Sequence, residues 1–218
     1  MKERPILFNG AMVQAILEDR KTNTRREMKP QPDETGSNGG KITGIRSSSL
    51  ESGFDANYFG DNPKHAGQCP FGKQGDRLWV RESWRTWSVW DEMPPRELAP
   101  CNAIKYSDDV TISTPLLQGE WGKRRPGIFM PRWASRITLE IVSVRVERLN
   151  QISEGGAKAE GMLYHDGGEV GHSGWRPTRD FGTVGPTPIH AFAWLWQSVY
   201  GPGSFDDRWV WVVEFKRL

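Results

Sequence analysis

Apolar and polar positions alternate most clearly between residues 136 and 149. There Ile137, Leu139, Ile141, Ser143 and Arg145 interleave with Thr138, Glu140, Val142, Val144 and Val146, a period of two that predicts a strand. The apolar side changes over at Ile141-Val142, the mark of a bulge or a barrel bend. Strands are also predicted over 5–8, 77–84 and 209–215, with a short one at 103–106 and a further candidate at 41–46. In 77–84, Leu78, Val80 and Glu82 share one face, and Trp79, Arg81 and Ser83 the other. The period lengthens early in the chain, where Phe8, Met12, Ala15 and Ile16 predict an amphipathic helix capped by Asn9. Ser153 caps a short helix over 154–160 that Gly161 closes. Residues 188–200 read as an aromatic helix, mostly core. The expected fold is α+β, a closed or nearly closed β-barrel with short helices at its ends.

The chain has 218 residues, 24 glycines and 15 prolines, and is 36% hydrophobic. That balance suits one domain over 1–218 with a modest core and long loops, a Gly-, Pro-, Ser- and Asn-rich stretch at about 30–75 among them. The formal net charge is only +2, so any nucleic-acid footprint must be local. Cys69 and Cys101 are too few for a disulfide framework or a four-cysteine zinc site, though one bridge remains open. His65, His165, His172 and His190 lack metal-ligand spacing, so neither metal nor cofactor is expected. There is no apolar run of membrane length and no signal-peptide pattern, which points to the cytoplasm rather than a membrane.

Two stretches carry candidate chemistry. The first is Ile16-Leu17-Glu18-Asp19-Arg20-Lys21-Thr22-Asn23-Thr24-Arg25-Arg26. If the helix persists that far, Lys21 and Thr24 project from one face. An amine beside a hydroxyl is a workable base and nucleophile, provided burial or a neighbouring cation lowers the lysine pKa from its usual ~10.4. Arg25 and Arg26 then offer guanidiniums for phosphate or carboxylate. The bland alternative is a helix end with solvated cations, which suits the helix dipole. The second stretch, 121–136, interleaves Trp121, Phe129 and Trp133 with Lys123, Arg124, Arg125, Arg132 and Arg136. Rings among cations suit single-stranded RNA or DNA, through backbone neutralisation and base stacking; Arg81 is a further candidate contact. The alternative is a loop whose aromatics plug the core. Some of the 11 tryptophans must serve as framework in either case.

The first stretch resembles the opening motif of the ASCH family of the PUA-like superfamily, Ile-Leu-x-Gly-Arg-Lys-Thr-x-Thr-x-Arg. Ile16, Leu17, Arg20, Lys21, Thr22, Thr24 and Arg26 fall in its places. Three later segments are similar to family elements, in the family's order: Gly75-Asp76-Arg77-Leu78-Trp79-Val80, the acidic helix ending at Glu160-Gly161-Met162, and the closing strand from Trp211. The layout resembles that of longer ASCH proteins carried by phages and prophages, which would place the protein in a bacterial host cell. In the motifs the likeness is to the small bacterial members that hydrolyse N(4)-acetylcytidine. It implies Lys21 as base, Thr24 as nucleophile and Glu160 as proton donor, with Thr22, Arg25 and Arg26 beside a nucleoside. The alternative for Glu160 is an ordinary helix-end carboxylate that pairs with Lys21 and keeps the lysine protonated, useless as a base. Set against the small enzymes, the chain carries insertions at about 30–75, 86–132 and 163–188, and Arg25 stands where they carry an apolar residue. The family also includes RNA-binding members and members proposed as nucleases. A non-catalytic RNA- or DNA-binding module, or a nuclease using the same cleft, is therefore the alternative to a modified-nucleoside amidohydrolase.

Overall fold

The computed structural model describes residues 1–29, 31, 69–100, 104–106, 120–167, 172–178 and 184–218. The strand expected at 41–46, together with His65, Cys101, Ala103 and Arg179, lies outside these residues. In chain order the elements are β1 (Glu3–Leu7), α1 (Gly10–Leu17), β2 (Asn23–Glu27), β3 (Arg77–Arg81), β4 (Trp84–Arg85), β5 (Lys105–Tyr106), β6 (Thr138–Arg148), α2 (Glu154–Ala159), β7 (Leu163–His165), β8 (Gly174–Arg176), α3 (Pro188–Tyr200) and β9 (Trp209–Arg217). The fold is α+β, with few helices. Five strands form one mixed sheet in the order β1-β3-β6-β9-β2. β1 and β3 run parallel and the other neighbours antiparallel.

The changeover in β6 is a bulge. Its pairing with β9 shifts between Ile141 and Ser143, leaving Val142 exposed. Before the shift Leu139 and Ile141 are fully buried; after it Val144 and Val146 pack against the same core. One extra residue thus moves the apolar set from odd to even positions without turning the strand out of the core.

β9 explains its own unbroken apolar run. Trp209, Trp211, Val213 and Phe215 face one cluster, with Phe8, Ile16, Leu78, Val80 and Leu139. Val210 and Val212 face a second, with Ala157, Met162, Ala191, Phe192 and Leu195 around α2 and α3. A strand covered on both sides needs no polar alternation. A third cluster, Trp84, Leu98, Met130 and Ala134, draws on the expected insertion at 86–132 and the residues flanking it, around β4 and β5. The run 77–84 is therefore not one strand: β3 ends at Arg81, and β4 leaves the main sheet to pair with β5. A hairpin of β7 and β8 was not foreseen in the Gly-rich loop.

Asp76 fastens the parallel pair. Its carboxylate accepts from the Lys2 backbone N–H at 2.8 Å and from Arg4 at 2.9 Å. Those bonds, with a third from Lys73, hold its carboxyl at about 2, below the ordinary 3.8. Because the folded value is the lower one, the stabilisation is complete above about pH 4 and disappears as pH falls towards 2. Urea midpoints between pH 2 and pH 7 should fall with acid in the wild type, and the gap to Asp76→Asn should close over that window.

Candidate functional site

The helix does not carry Lys21 and Thr24. It begins where expected, with the Asn9 side chain accepting from the Met12 N–H at 2.9 Å, but α1 ends at Leu17. Asp19 then takes a left-handed conformation, φ 55°, and the N–H groups of Arg20 and Lys21 both donate to the Ala15 carbonyl at 2.9 Å. Asp19 stands where the ASCH motif has glycine, the residue that adopts this conformation without strain. Asp19→Gly should raise stability by about 0.5–1 kcal/mol in urea unfolding, against the loss of one exposed ion pair to Arg217.

Past this corner the chain is extended. Lys21 forms an isolated antiparallel bridge with Glu160, the residue that caps α2. The Thr22 N–H donates to the Ala159 carbonyl at 2.9 Å, and the Phe215 N–H to the Thr22 carbonyl at 2.8 Å. Three elements that are distant in sequence therefore meet at Lys21. Gly161 permits the approach: its φ is 100°, and a Cβ there would lie 2.8 Å from Ala15 Cβ and 3.2 Å from Lys21 Cβ. Gly161→Ala should cost about 1–3 kcal/mol, read as a lower urea midpoint.

The Lys21 side chain is 0% exposed and that of Glu160 3%. Lys21 Nζ donates to Glu160 Oε2 at 2.5 Å and to the Glu160 carbonyl at 3.1 Å. The other carboxylate oxygen, Oε1, accepts from Arg25 at 3.1 Å. Arg25 Nε donates to Glu147 of β6 at 2.6 Å, and its guanidinium lies over the Phe192 ring at 5.8 Å. Burial lowers the Lys21 pKa, Glu160 opposes the shift, and Arg26 and Arg25 add to it; the net direction is down.

Alternation along β2 separates its side chains. Thr24 pairs with Val213 and Arg26 with Trp211, on the face towards the first core cluster. Arg25 pairs with Val212, on the face towards α2 and α3. Arg26 lies over the Phe8 ring at 5.2 Å, and Lys21 Nζ lies 5.7 Å from the same ring while bonding Glu160, the carboxylate it shares with Arg25. Thr24 is buried and has no hydrogen bond to Lys21 among the described residues. Arg26 donates to the Leu7 carbonyl at 2.5 Å, and its buried Nε has no acceptor among the described residues. Thr22 is exposed and lines a pocket of about 370 Å³ with Asp19, Phe215, Lys216 and Arg217.

The residues of 121–136 divide. Arg125 is buried, donating to the carbonyls of Trp90 and Met93, and Trp133 meets Trp84 edge-on at 6.3 Å. Arg136 donates twice to Glu82, at 2.9 and 3.0 Å, and covers the Tyr106 ring. These side chains hold the insertion together, with Arg125 among the buried groups rather than at the surface. Arg124, Ile128, Phe129 and Arg132 remain at the surface. Arg132 pairs with Glu3 at 3.0 Å, and Arg81 lies over Trp79 at 4.5 Å. Sequence reasoning missed Glu147. It is one polar position among many on an alternating strand, and only the bulge and the sheet order bring it to Arg25.

Cys69 is a buried free thiol whose pKa is pushed up to about 11 by burial, which disfavours the thiolate. No helix among the described residues is long and apolar enough to cross a membrane. No family model, curated protein or solved structure matches the chain.

Proposed function

We propose that the protein is an ASCH-type amidohydrolase of an acylated nucleoside, built on a PUA-like barrel. One observation carries the reading. Lys21 and Glu160, paired by motif likeness alone and 139 residues apart, meet as a buried pair at 2.5 Å. A surface lysine chosen by chance has no reason to be buried against that particular carboxylate.

In this reading the free amine of Lys21, the form that burial favours and Glu160 opposes, takes the Thr24 proton. Thr24 Oγ1 attacks the amide carbonyl, and Glu160 completes the proton path to the leaving amine. The buried Arg26 Nε, with no acceptor among the described residues, is the donor left for the oxyanion. The reading requires the amine, closed off in the resting protein, to become reachable when substrate enters. Release of cytidine and acetate from N(4)-acetylcytidine tests it, with Lys21→Met alongside. A folded wild-type protein that releases neither product removes this reading.

The second reading is binding of single-stranded nucleic acid, and the exposed cations and apolar groups of 121–136 support it. Ile128 and Phe129 are 58% and 59% exposed, Arg124 and Arg132 flank them, and Gly127 packs on Leu7. Neutralising Arg124 and Arg132 together should lower RNA affinity and flatten its dependence on salt; salt-independent binding would exclude it.

A further inference from the structure

We propose that Arg25 is a positioning residue that fixes Glu160 as an ionised, orienting carboxylate, so that Lys21 alone carries the proton from Thr24 to the leaving amine. The inference rests on the amidohydrolase reading and changes one role within it. The likeness to ASCH enzymes makes Glu160 the donor; the geometry of this chain points elsewhere.

Both oxygens of Glu160 face cationic donors. Oε2 receives Lys21 at 2.5 Å and Oε1 receives Arg25 at 3.1 Å. A guanidinium N–H on a carboxylate oxygen favours the ionised form, because that oxygen has a lone pair to give and no proton to spare. Arg25 is itself held. Its side chain is 1% exposed, Glu147 takes Nε at 2.6 Å, and the Phe192 ring backs the guanidinium. It cannot swing away from Glu160 without giving up its own bond to Glu147. The chain of charges continues outward, Glu147 to Arg145 at 3.6 Å and Arg145 to Glu214, whose other oxygen accepts from Ser143 at 2.7 Å. Sharing Glu160 with Arg25 also weakens its hold on the Lys21 proton. The charged groups acting on Lys21 are then Glu160, which favours the ammonium, and Arg26 and Arg25, which oppose it.

The steps balance with these groups. Thr24 Oγ1 loses its proton to Lys21 Nζ as the Oγ1–C bond forms. The C–N bond then breaks, and the ammonium of Lys21 gives that proton to the departing nitrogen, leaving an acyl ester on Thr24. Water attacks the ester, its proton passes to Lys21 and on to Thr24 Oγ1, and the acid leaves. Glu160 holds the ammonium of Lys21 each time it forms, as the triad carboxylate of a serine hydrolase holds its imidazolium.

The test is the titration of Lys21 followed by NMR of the unliganded full chain with isotope-labelled lysine side chains, the signal being assigned by its loss in Lys21→Met. Arg25→Met removes a cation and frees Glu160 for the amine, so the Lys21 titration should move up by about one pH unit or more. Glu147→Gln leaves Arg25 less compensated, so it should move the other way. Titrations unchanged in both variants, or shifted in the reverse directions, overturn the inference. If Arg25→Met does not fold, Glu147→Gln decides by its own direction. In wild-type turnover, kcat/KM should rise through the Lys21 pKa and stay level. An alkaline fall that vanishes in Glu160→Gln would return the donor role to Glu160. Wild-type protein that hydrolyses nothing removes the amidohydrolase reading, and the NMR shifts then decide the Arg25–Glu160–Lys21 coupling separately.

Discussion

Glu160→Ala should destabilise the protein by about 3–5 kcal/mol, and Lys21→Met by clearly less. The asymmetry follows from the charge count at the site. Glu160 serves two cations, Lys21 at 2.5 Å and Arg25 at 3.1 Å. Removing it leaves a buried ammonium without a carboxylate and a buried guanidinium with Glu147 alone. Removing the Lys21 amine leaves Glu160 still paired with Arg25, and methionine fills most of the vacated volume. Urea unfolding of the two variants at neutral pH provides the comparison. Equal losses would mean that Arg25 does not support Glu160, a result that would also weaken the assignment of Arg25 as a positioning residue.

The second large effect is on turnover. Lys21→Met should lower kcat/KM on N(4)-acetylcytidine by roughly 10²–10⁴-fold, the usual range for loss of a general base. Thr24→Val should be at least as severe, because no other hydroxyl takes its place in β2. Both variants should unfold cooperatively, so that activity lost with folding intact separates chemistry from stability. Since a general base acts as its free amine, wild-type kcat/KM should increase with pH through the Lys21 pKa, which burial lowers. Activity that survives in both variants would leave the buried pair as framework.

That framework role has physical weight of its own. A buried ion pair adds little net stability over a well-packed apolar pair, since desolvation cancels most of the attraction. What it does is fix geometry. Lys21 ties the corner after α1 to the end of α2, and Arg25 ties β2 to β6 through Glu147. The Arg20 guanidinium closes the same corner by donating to the Gly161 carbonyl. The cluster therefore sets how α1, α2 and β2 sit against β9, whether or not it also performs chemistry.

The sequence alone determined the three helices and the longest strands. Asn9, Ser153 and the 188–200 periodicity place the helices, because capping and amphipathic spacing depend on near neighbours. The parity switch at Ile141-Val142 announced the bulge, because a strand that must keep one side in the core cannot hide an extra residue. Lys21 and Glu160 were legible as candidates through motif likeness. Their pairing stood open only as the alternative to catalysis, and Arg25 read as a fork for phosphate or carboxylate; which carboxylates it holds, and that it shares Glu160 with Lys21, was not legible. Tertiary structure decided those matters. Asp19 ends the helix with a left-handed turn that no helical period foretells, converting a supposed shared helix face into a strand with Thr24 and Arg25 on opposite sides. The sheet order then brings Glu147 on β6 and Glu160 at the end of α2 around Arg25 from sequence distances of 122 and 135 residues. Local pattern records which residues prefer a helix, a strand or burial; which buried charge meets which depends on register and chain crossing, and these are set by the packing of the whole sheet.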